Sequence, residues 1–524
     1  MQLNKIKLHS CTTFASAQSQ ITLDDDYNVP DYRPDIVKVL KEKGELHFDE
    51  VKAAAGAAWL KGRLVFRVLY RSDQENGKIS CLKGEIPFQE KLNMDGVQEY
   101  DVIQASGEIE DLTIGVIHSR KISVRAVILL KTEEPQEKED ELCVGIEADD
   151  GCEKRYRNTN ILQLLCMKRD QCRQKSEITL PSSKPNVQEI LWKSLEIRNL
   201  DTKMGQDGVK LSGEVLISVL YQEEEETDRV QWYETVIPLD CGVECDAGII
   251  YKVKARPASM ELEVKPDYDG EERVLVLELV MNLDIRVWKE QEISMLEDVY
   301  SLKKEIIPVC TGVTLHHISV KNDSQCRLTE QMELAESQEK ILQICSCEGT
   351  VHLESTELTE QGVRAEGILV TELLYITTDD QMPIGSAREI YPFEQLIEIP
   401  QQTARTERNK PEELEALERK NKLQTELDCR ISQLSAVMLD QDHVEIKAVI
   451  GLDLLAFEQE QIDNITDMRE EALDMEQLQK RPGLVGYIAK DGDSLWSIAK
   501  ENHTTVEDIL RDNRMRICAE EKKF

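Results

Sequence analysis

GRLVFRVLY, Gly62 to Tyr70, returns twice in the chain, as GEVLISVLY from Gly213 to Tyr221 and as GILVTELLY from Gly367 to Tyr375. In the first copy Leu64, Phe66, Val68 and Tyr70 alternate with a second set that includes Arg63 and Arg67. That period of two is the signature of a strand with one buried face. Val215, Ile217, Val219 and Tyr221 repeat it in the second copy. The shared glycine is expected to start the strand, where a turn or a bulge favours it.

The spacing persists outward from these nonapeptides. A proline lies 17 residues after each tyrosine (Pro87, Pro238, Pro392), and Pro30 and Pro181 lie 32 residues before the first two glycines. The third copy keeps the apolar frame as LAESQEKI, Leu334 to Ile341, without the prolines. Each copy closes on a second apolar block: KISVRAVILL (Lys121 to Leu130), LVLELVMNLDIRVW (Leu275 to Trp288) and VEIKAVIGLDLLAF (Val444 to Phe457). Agreement at several separated points reads as an internal repeat, which sets the architecture before any local assignment. The copies fall over residues 12–136, 165–290 and 320–460.

Strands bounded by turn signals such as Gln74-Glu75-Asn76-Gly77 predict a mainly β fold of three tandem repeats, each of antiparallel sheets packed like a sandwich. Helices are expected to be few, with DIVKVLKEKG, Asp35 to Gly44, as the best candidate. From the proline of the EIPF type into the closing block is 35 residues in the first copy (Pro87 to Ile122), 37 in the second (Pro238 to Leu275) and 52 in the third (Pro392 to Val444). The excess falls at residues 404–421, where Pro411 at a helix start and Leu414 and Leu417 at helical spacing predict a charged helical insertion. A solvated excursion and a partner-binding segment are both open readings of it.

Composition narrows the function. At 524 residues the chain exceeds one ordinary core, and 40% apolar residues suit a folded protein. Lys and Arg number 64 against 101 Asp and Glu, a formal charge of -37 spread along the chain. Such a surface stays soluble and repels a phosphate backbone, so nucleic acid is not an expected partner. The start, MQLNKIKLHSCTTF, has no apolar core of signal-peptide length, and no later run reaches the roughly 18 apolar residues of a membrane span. The expectation is a cytoplasmic protein. The 14 cysteines contain no CxxC pair and are expected as reduced thiols. Cys345 with Cys347, or Cys241 with Cys245, lacks a second nearby pair to complete a metal site. No GxSxG, HExxH or P-loop motif occurs, and His316 and His317 lie on an apparent strand where neighbours face opposite ways. No catalytic residue, metal or cofactor is expected, and the chain does not read as an enzyme.

A different pattern begins at residue 484. In DGDSLWSIAKEN, Leu495, Ile498 and Ala499 share one helical face, with Asp493 or Ser494 placed to cap the start. In HTTVEDILRDN, Val506, Ile509 and Leu510 form the matching face, and Thr504 with Glu507 has the spacing of a capping box. With the strand GYIAK before them, these elements resemble the LysM domain, a strand-helix-helix-strand module that binds N-acetylglucosamine polymers. Residues 484–524 are therefore read as a small α+β LysM module. Its last strand is incomplete, because only Arg516, Ile517 and Cys518 stand where that strand should form. The resemblance implies a partner- or glycan-binding groove at Asp491, Gly492, Asp493 and Ser494 and near Asn513. Trp496 reads equally as a stacking ring and as core packing.

Three copies bearing the VPDYRPDI and GRLVFRVLY elements, followed by one LysM module, are similar over nearly the whole chain to the SPOCS-domain proteins of spore-forming bacteria, of the SipL type. The resemblance implies a non-enzymatic scaffold of spore-coat assembly, in the mother-cell cytoplasm and peripheral at the forespore membrane. It implies binding to the stage IV coat-basement ATPase through the LysM domain, with peptidoglycan or its precursor as a second ligand. The alternative is a cell-wall-associated protein that binds peptidoglycan through N-acetylglucosamine.

Overall fold

The structure is a computed structural model that describes residues 2–73, 78–147, 151–224, 229–335, 338–359, 361–379, 382–399, 423–473, 482, 485–490 and 492–513. The Gln74–Gly77 turn and the expected insertion at 404–421 lie outside these residues.

The first copy contains β1 (Gln2–Asn28), β2 (Ile36–Ala54), β3 (Ala57–Ser72), β4 (Ile79–Asn93), β5 (Gln104–His118) and β6 (Lys121–Glu147). They form two antiparallel three-stranded sheets, β1-β6-β5 and β2-β3-β4. The second copy repeats this with β7 (Cys152–Thr179), β8 (Val187–Met204), β9 (Gly208–Glu223), β10 (Val230–Glu244), β11 (Ile250–Pro266) and β12 (Glu272–Ser301). The third uses β13 (Glu305–Glu333), β14 (Ile341–Leu358), β15 (Gly362–Thr377), β16 (Ile384–Glu398), β17 (Leu423–Met438) and β18 (His443–Glu471). The mainly β reading of the sequence holds.

The quoted nonapeptides form the central strands β3, β9 and β15, each with its tyrosine two residues before the strand end. Leu64, Phe66, Val68 and Tyr70 are buried against Ile122, Val124, Ala126 and Ile128 of β6, so the two sheets of a copy close on one core. Burial of such a side chain contributes roughly 1.5–3 kcal/mol. Pro87, Pro238 and Pro392 lie on the outer strands β4, β10 and β16, where a missing N–H leaves no inner ladder broken.

The glycine, by contrast, is not at a strand start. Gly62 and Gly367 each sit five residues inside the strand, opposite a bulge on its neighbour, between Phe48 and Glu50 or between Leu353 and Ser355. A Cβ at Gly62 would lie 2.4 Å from the His47 carbonyl oxygen, and one at Gly367 would lie 2.4 Å from that of His352. The bulge brings the backbones too close for any side chain.

The stretch expected as a helix, Asp35 to Gly44, is strand from Ile36 onward. β2 carries two bulges three residues apart, between Ile36 and Lys38 and between Val39 and Lys41. Each inserted residue shifts the alternation by one, so apolar Ile36, Val39 and Leu40 acquire helical spacing while remaining in a strand. The same pair of bulges recurs in β8 and in β14.

The missing prolines of the third copy also have a structural reason. Arg120 donates to the carbonyls of Val29, Pro30 and Arg33 and to Asp35, and Arg273 donates to those of Pro181 and Lys184. Tyr70 and Tyr221 close the same loops by donating to the Pro34 and Pro185 carbonyls at 3.1 and 3.2 Å. Asp442 stands in the arginine's place, since the Leu334 N–H bonds to its carbonyl as Val29 bonds to Arg120 and Leu180 to Arg273. Proline loop and arginine are lost together.

One cysteine expectation fails. Cys172 on β7 and Cys241 on β10 form a disulfide between the two sheets of the second copy. They lie 69 residues apart, and only the stacking of the sheets brings them together.

The copies pack like against like. The second residues of the double bulges, Leu40, Leu191 and Cys345, meet Leu69, Leu220 and Leu374 and then Ile79, Val230 and Ile384 in one cluster. Beside it, residues equivalent by register, Lys43 of the first copy and Glu348 of the third, form an ion pair at 2.6 Å. Lys41 lies 3.0 Å from Glu348, and the Trp192 indole N–H of the second copy donates to Glu348 at 3.2 Å. Burial alone would push the Glu348 carboxyl up, but the two ammonium groups outweigh it and hold it far below the usual carboxylate range. At the other end the long antiparallel pairs β1/β6, β7/β12 and β13/β18 pack together, with Cys143, Leu296 and Ile465 in one cluster. There buried Asn464 accepts from the Cys143 N–H at 2.9 Å and donates to the Glu141 carbonyl at 2.8 Å.

Replacing Glu348 by Ala leaves Lys41 buried without its nearest partner, so Glu348→Ala is expected to cost about 3–5 kcal/mol, read in chemical denaturation. An unchanged midpoint would remove Glu348 from the interface energetics. Glu42, also at this junction, is raised by burial and by Glu372 to about 7. The folded chain therefore keeps a proton that the unfolded chain releases near the ordinary glutamate range, and stability falls as pH rises to about 7. Glu42→Gln should match the parent melting temperature at pH 4 and exceed it at pH 8, a gain on the order of 3 kcal/mol.

Candidate functional site

The C-terminal module shows two short helices, α1 (Leu495–Glu501) and α2 (Val506–Asp512). Ser494 caps α1: its hydroxyl accepts from the Ser497 N–H, while the Ser497 hydroxyl accepts from the Ser494 N–H, a reciprocal capping box. The cap of α2 is Thr505, which accepts from the Asp508 N–H at 3.0 Å, and not Thr504 with Glu507. Thr504 lies one residue too early, and its carbonyl accepts from the Tyr300 hydroxyl. Ala499 is the fully buried residue of this core.

Gly486–Lys490, expected as a strand, has no ladder partner among the described residues and is exposed, with Ile488 at 88%. Arg516, Ile517 and Cys518 lie outside the described residues.

The candidate residues separate into two groups. Gly492 has φ +95° with open space around it, a left-handed turn that glycine adopts without strain. Asp493 accepts from the Lys490 N–H and the Tyr487 hydroxyl, both at 2.8 Å, which hold its carboxyl below the usual range. Gly492, Asp493 and Ser494 thus form one ordered entry loop to α1; Asp491 lies outside the described residues. Asn513 is the C-cap of α2, its side-chain amide donating to the Ile509 carbonyl at 2.8 Å, as Asn502 does for Ile498 at the end of α1.

Trp496 turns from that loop to the body of the protein. Its indole N–H donates to Asp298 of β12 at 2.7 Å, and its ring meets Tyr300 edge-on at 4.9 Å. The Arg155 guanidinium lies 5.5 Å from its centroid. Asp298, Tyr300 and Arg155 had no signal in the sequence, because strand residues of ordinary type become a site only when α1 is laid on them. Among the described residues no group of three or more His, Cys, Asp or Glu is placed to hold a metal, and no helix is long and apolar enough to cross a membrane.

Both helices depend on a single hydroxyl cap. Ser494→Ala and Thr505→Ala should each weaken the module by about 1 kcal/mol. The measure is amide exchange at residues 495–512, and equal protection in parent and variants would mean that packing, not capping, fixes the helix starts.

A family model for the SipL SPOCS domain matches residues 35–117, 186–265 and 340–418, and one for the LysM domain matches 487–517. The first two SPOCS matches run from β2 to β5 and from β8 to β11, and the third begins at β14. The long strands that join the copies flank these spans. No curated protein and no solved structure matches the chain. SPOCS and LysM are binding domains without catalytic chemistry of their own, and together they mark a sporulation-related protein with a module of the peptidoglycan-binding kind. The chain belongs to the SipL family, with three SPOCS domains followed by one LysM domain.

Proposed function

We propose that the chain is a non-enzymatic scaffold of spore-coat assembly that anchors the coat to the forespore surface by binding the stage IV coat-basement ATPase through its LysM domain. The supporting observation is the division of labour in the fold. Three SPOCS units spend their like faces on one another, whereas the LysM helices form a separate small core with an open loop at Gly492. A module with its own core serves as the adaptor end, and the fused units serve as the spacer that carries it. In this reading the protein works in the mother-cell cytoplasm, peripheral at the forespore membrane, and the charge of -37 discourages nucleic acid.

The second reading, binding of peptidoglycan or its precursor through N-acetylglucosamine, is supported by the LysM match itself. Both readings put the contact on the same module, with Gly492, Asp493, Ser494 and Asn513 as candidates together with Asp491 and Trp496.

Deleting residues 486–524 is expected to abolish ATPase binding while the strand content and melting of the remaining body stay within about 2 °C of the parent. Titration of the full chain separates the readings. Tight binding of N-acetylglucosamine oligomers with no ATPase binding would replace the scaffold reading by the cell-wall reading.

A further inference from the structure

The LysM domain lies against the end of β12, and the contact is centred on one carboxylate. Lys500 of α1 brackets Asp298 at 2.7 and 2.9 Å, and the Trp496 indole N–H shares the same group. Tyr300, two residues on, supports the Trp496 ring and donates to the Thr504 carbonyl at 2.9 Å, so both ends of the α1–α2 turn are held.

The position is specific to the second copy. β6, β12 and β18 each carry one bulged residue near their ends, Val144, Glu297 and Thr466, and these bulges bring the three strands into register. In that register Asp298 corresponds to Gly145 and Asp467, and Tyr300 to Glu147 and Arg469. Only the second copy joins a carboxylate to an aromatic ring. Bulges re-aim side chains, and here the inserted Glu297 stands directly before the residue that grips the helix.

We propose that Asp298 is a latch. It holds the chain's own LysM domain against β12 with Trp496 covered, and a partner that uses the Trp496 face has to release it. The inference rests on the reading of LysM as the partner-binding module and adds its regulation. Among the described residues the contact is one charge pair, two further hydrogen bonds, one ring pair and the Arg155 guanidinium beside the Trp496 ring, small enough to open. If nine in ten molecules are closed, apparent affinity falls about tenfold relative to the open module.

The test uses the full chain and three variants: Asp298→Ala, Lys500→Ala and the exchanged pair Asp298→Lys with Lys500→Asp. Amide exchange at residues 495–512 should speed up several-fold in both single variants and return toward the parent in the exchanged pair, with β7 and β12 protected throughout. Lys500→Ala guards against local damage to β12. An N-acetylglucosamine hexamer and the ATPase are then titrated into parent and Asp298→Ala, and the one that uses the Trp496 face should bind the variant about tenfold tighter. Unchanged exchange in both single variants overturns the latch. Faster exchange with unaltered affinity for a probe that binds the parent overturns the covering role. If neither probe binds even the opened variant, the LysM reading falls and takes the covering role with it, while exchange still decides whether Asp298 docks the module.

Discussion

Glu348 is 8% exposed at the junction of three copies, and it keeps its charge only because the first copy supplies two ammonium groups and the second an indole N–H. An ionised carboxylate taken out of water without partners costs several kcal/mol, which the first copy offsets with its two ammonium groups. The arrangement therefore couples the copies: separating the first from the third leaves buried charge unpaired, and withdrawing the second removes the Trp192 donor. An apolar triad of similar volume would hold the copies together at least as strongly, but it would accept them in any rotation. The charge selects one. It sits beside the cluster of Leu69, Leu220 and Leu374, which is nearly the same in every copy and carries little information about order.

The rest of the architecture follows from building one body out of three sandwiches. Each copy leaves sheet edges, and an edge with free N–H and C=O groups invites further strands. Prolines on β4, β10 and β16 remove donors from three of these edges, and a surface at -37 repels other copies of the chain. The long first and last strands of each copy extend past the sandwich and pack as three antiparallel pairs. Asn464 is the polar exception in that stalk: by register it replaces Leu142 and Met295, and it bonds to the backbone of the first copy across the interface. Both zones thus combine a repeated apolar layer with polar groups that differ between copies.

This division explains what the sequence could reveal. Leu64, Phe66, Val68 and Tyr70 announced a strand because burial on one face imposes a period of two, and the three copies announced themselves because each must bury the same face. Ile36, Val39 and Leu40 misled because two bulges mimic helical spacing, and a bulge is legible only once the partner strand is known. Gly62 looked like a strand start because its cause, the carbonyl of His47, is on another strand. Cys172 and Cys241 were silent for the same reason. At the LysM module the helices and the cap at Ser494 were local and readable, whereas Asp298 and Tyr300 belong to the site only through docking across about 200 residues of chain.

In the proposed latch, a large laddered body acts on a small module through local contacts. β12 is paired with β7 from Val274 to Ser301 and with β11 from Glu272 to Trp288, so Asp298, paired with Arg155 of β7, lies on a strand anchored along its 30 residues. Among its described residues the LysM domain has one fully buried side chain, Ala499, and two helices of seven residues each. A contact between two such partners deforms the weaker one first, so a ligand needs to overcome only local contacts around one carboxylate, and the sheets remain intact. The energy of recognition is then spent at the module, while the three fused copies transmit position to whatever lies at their far end.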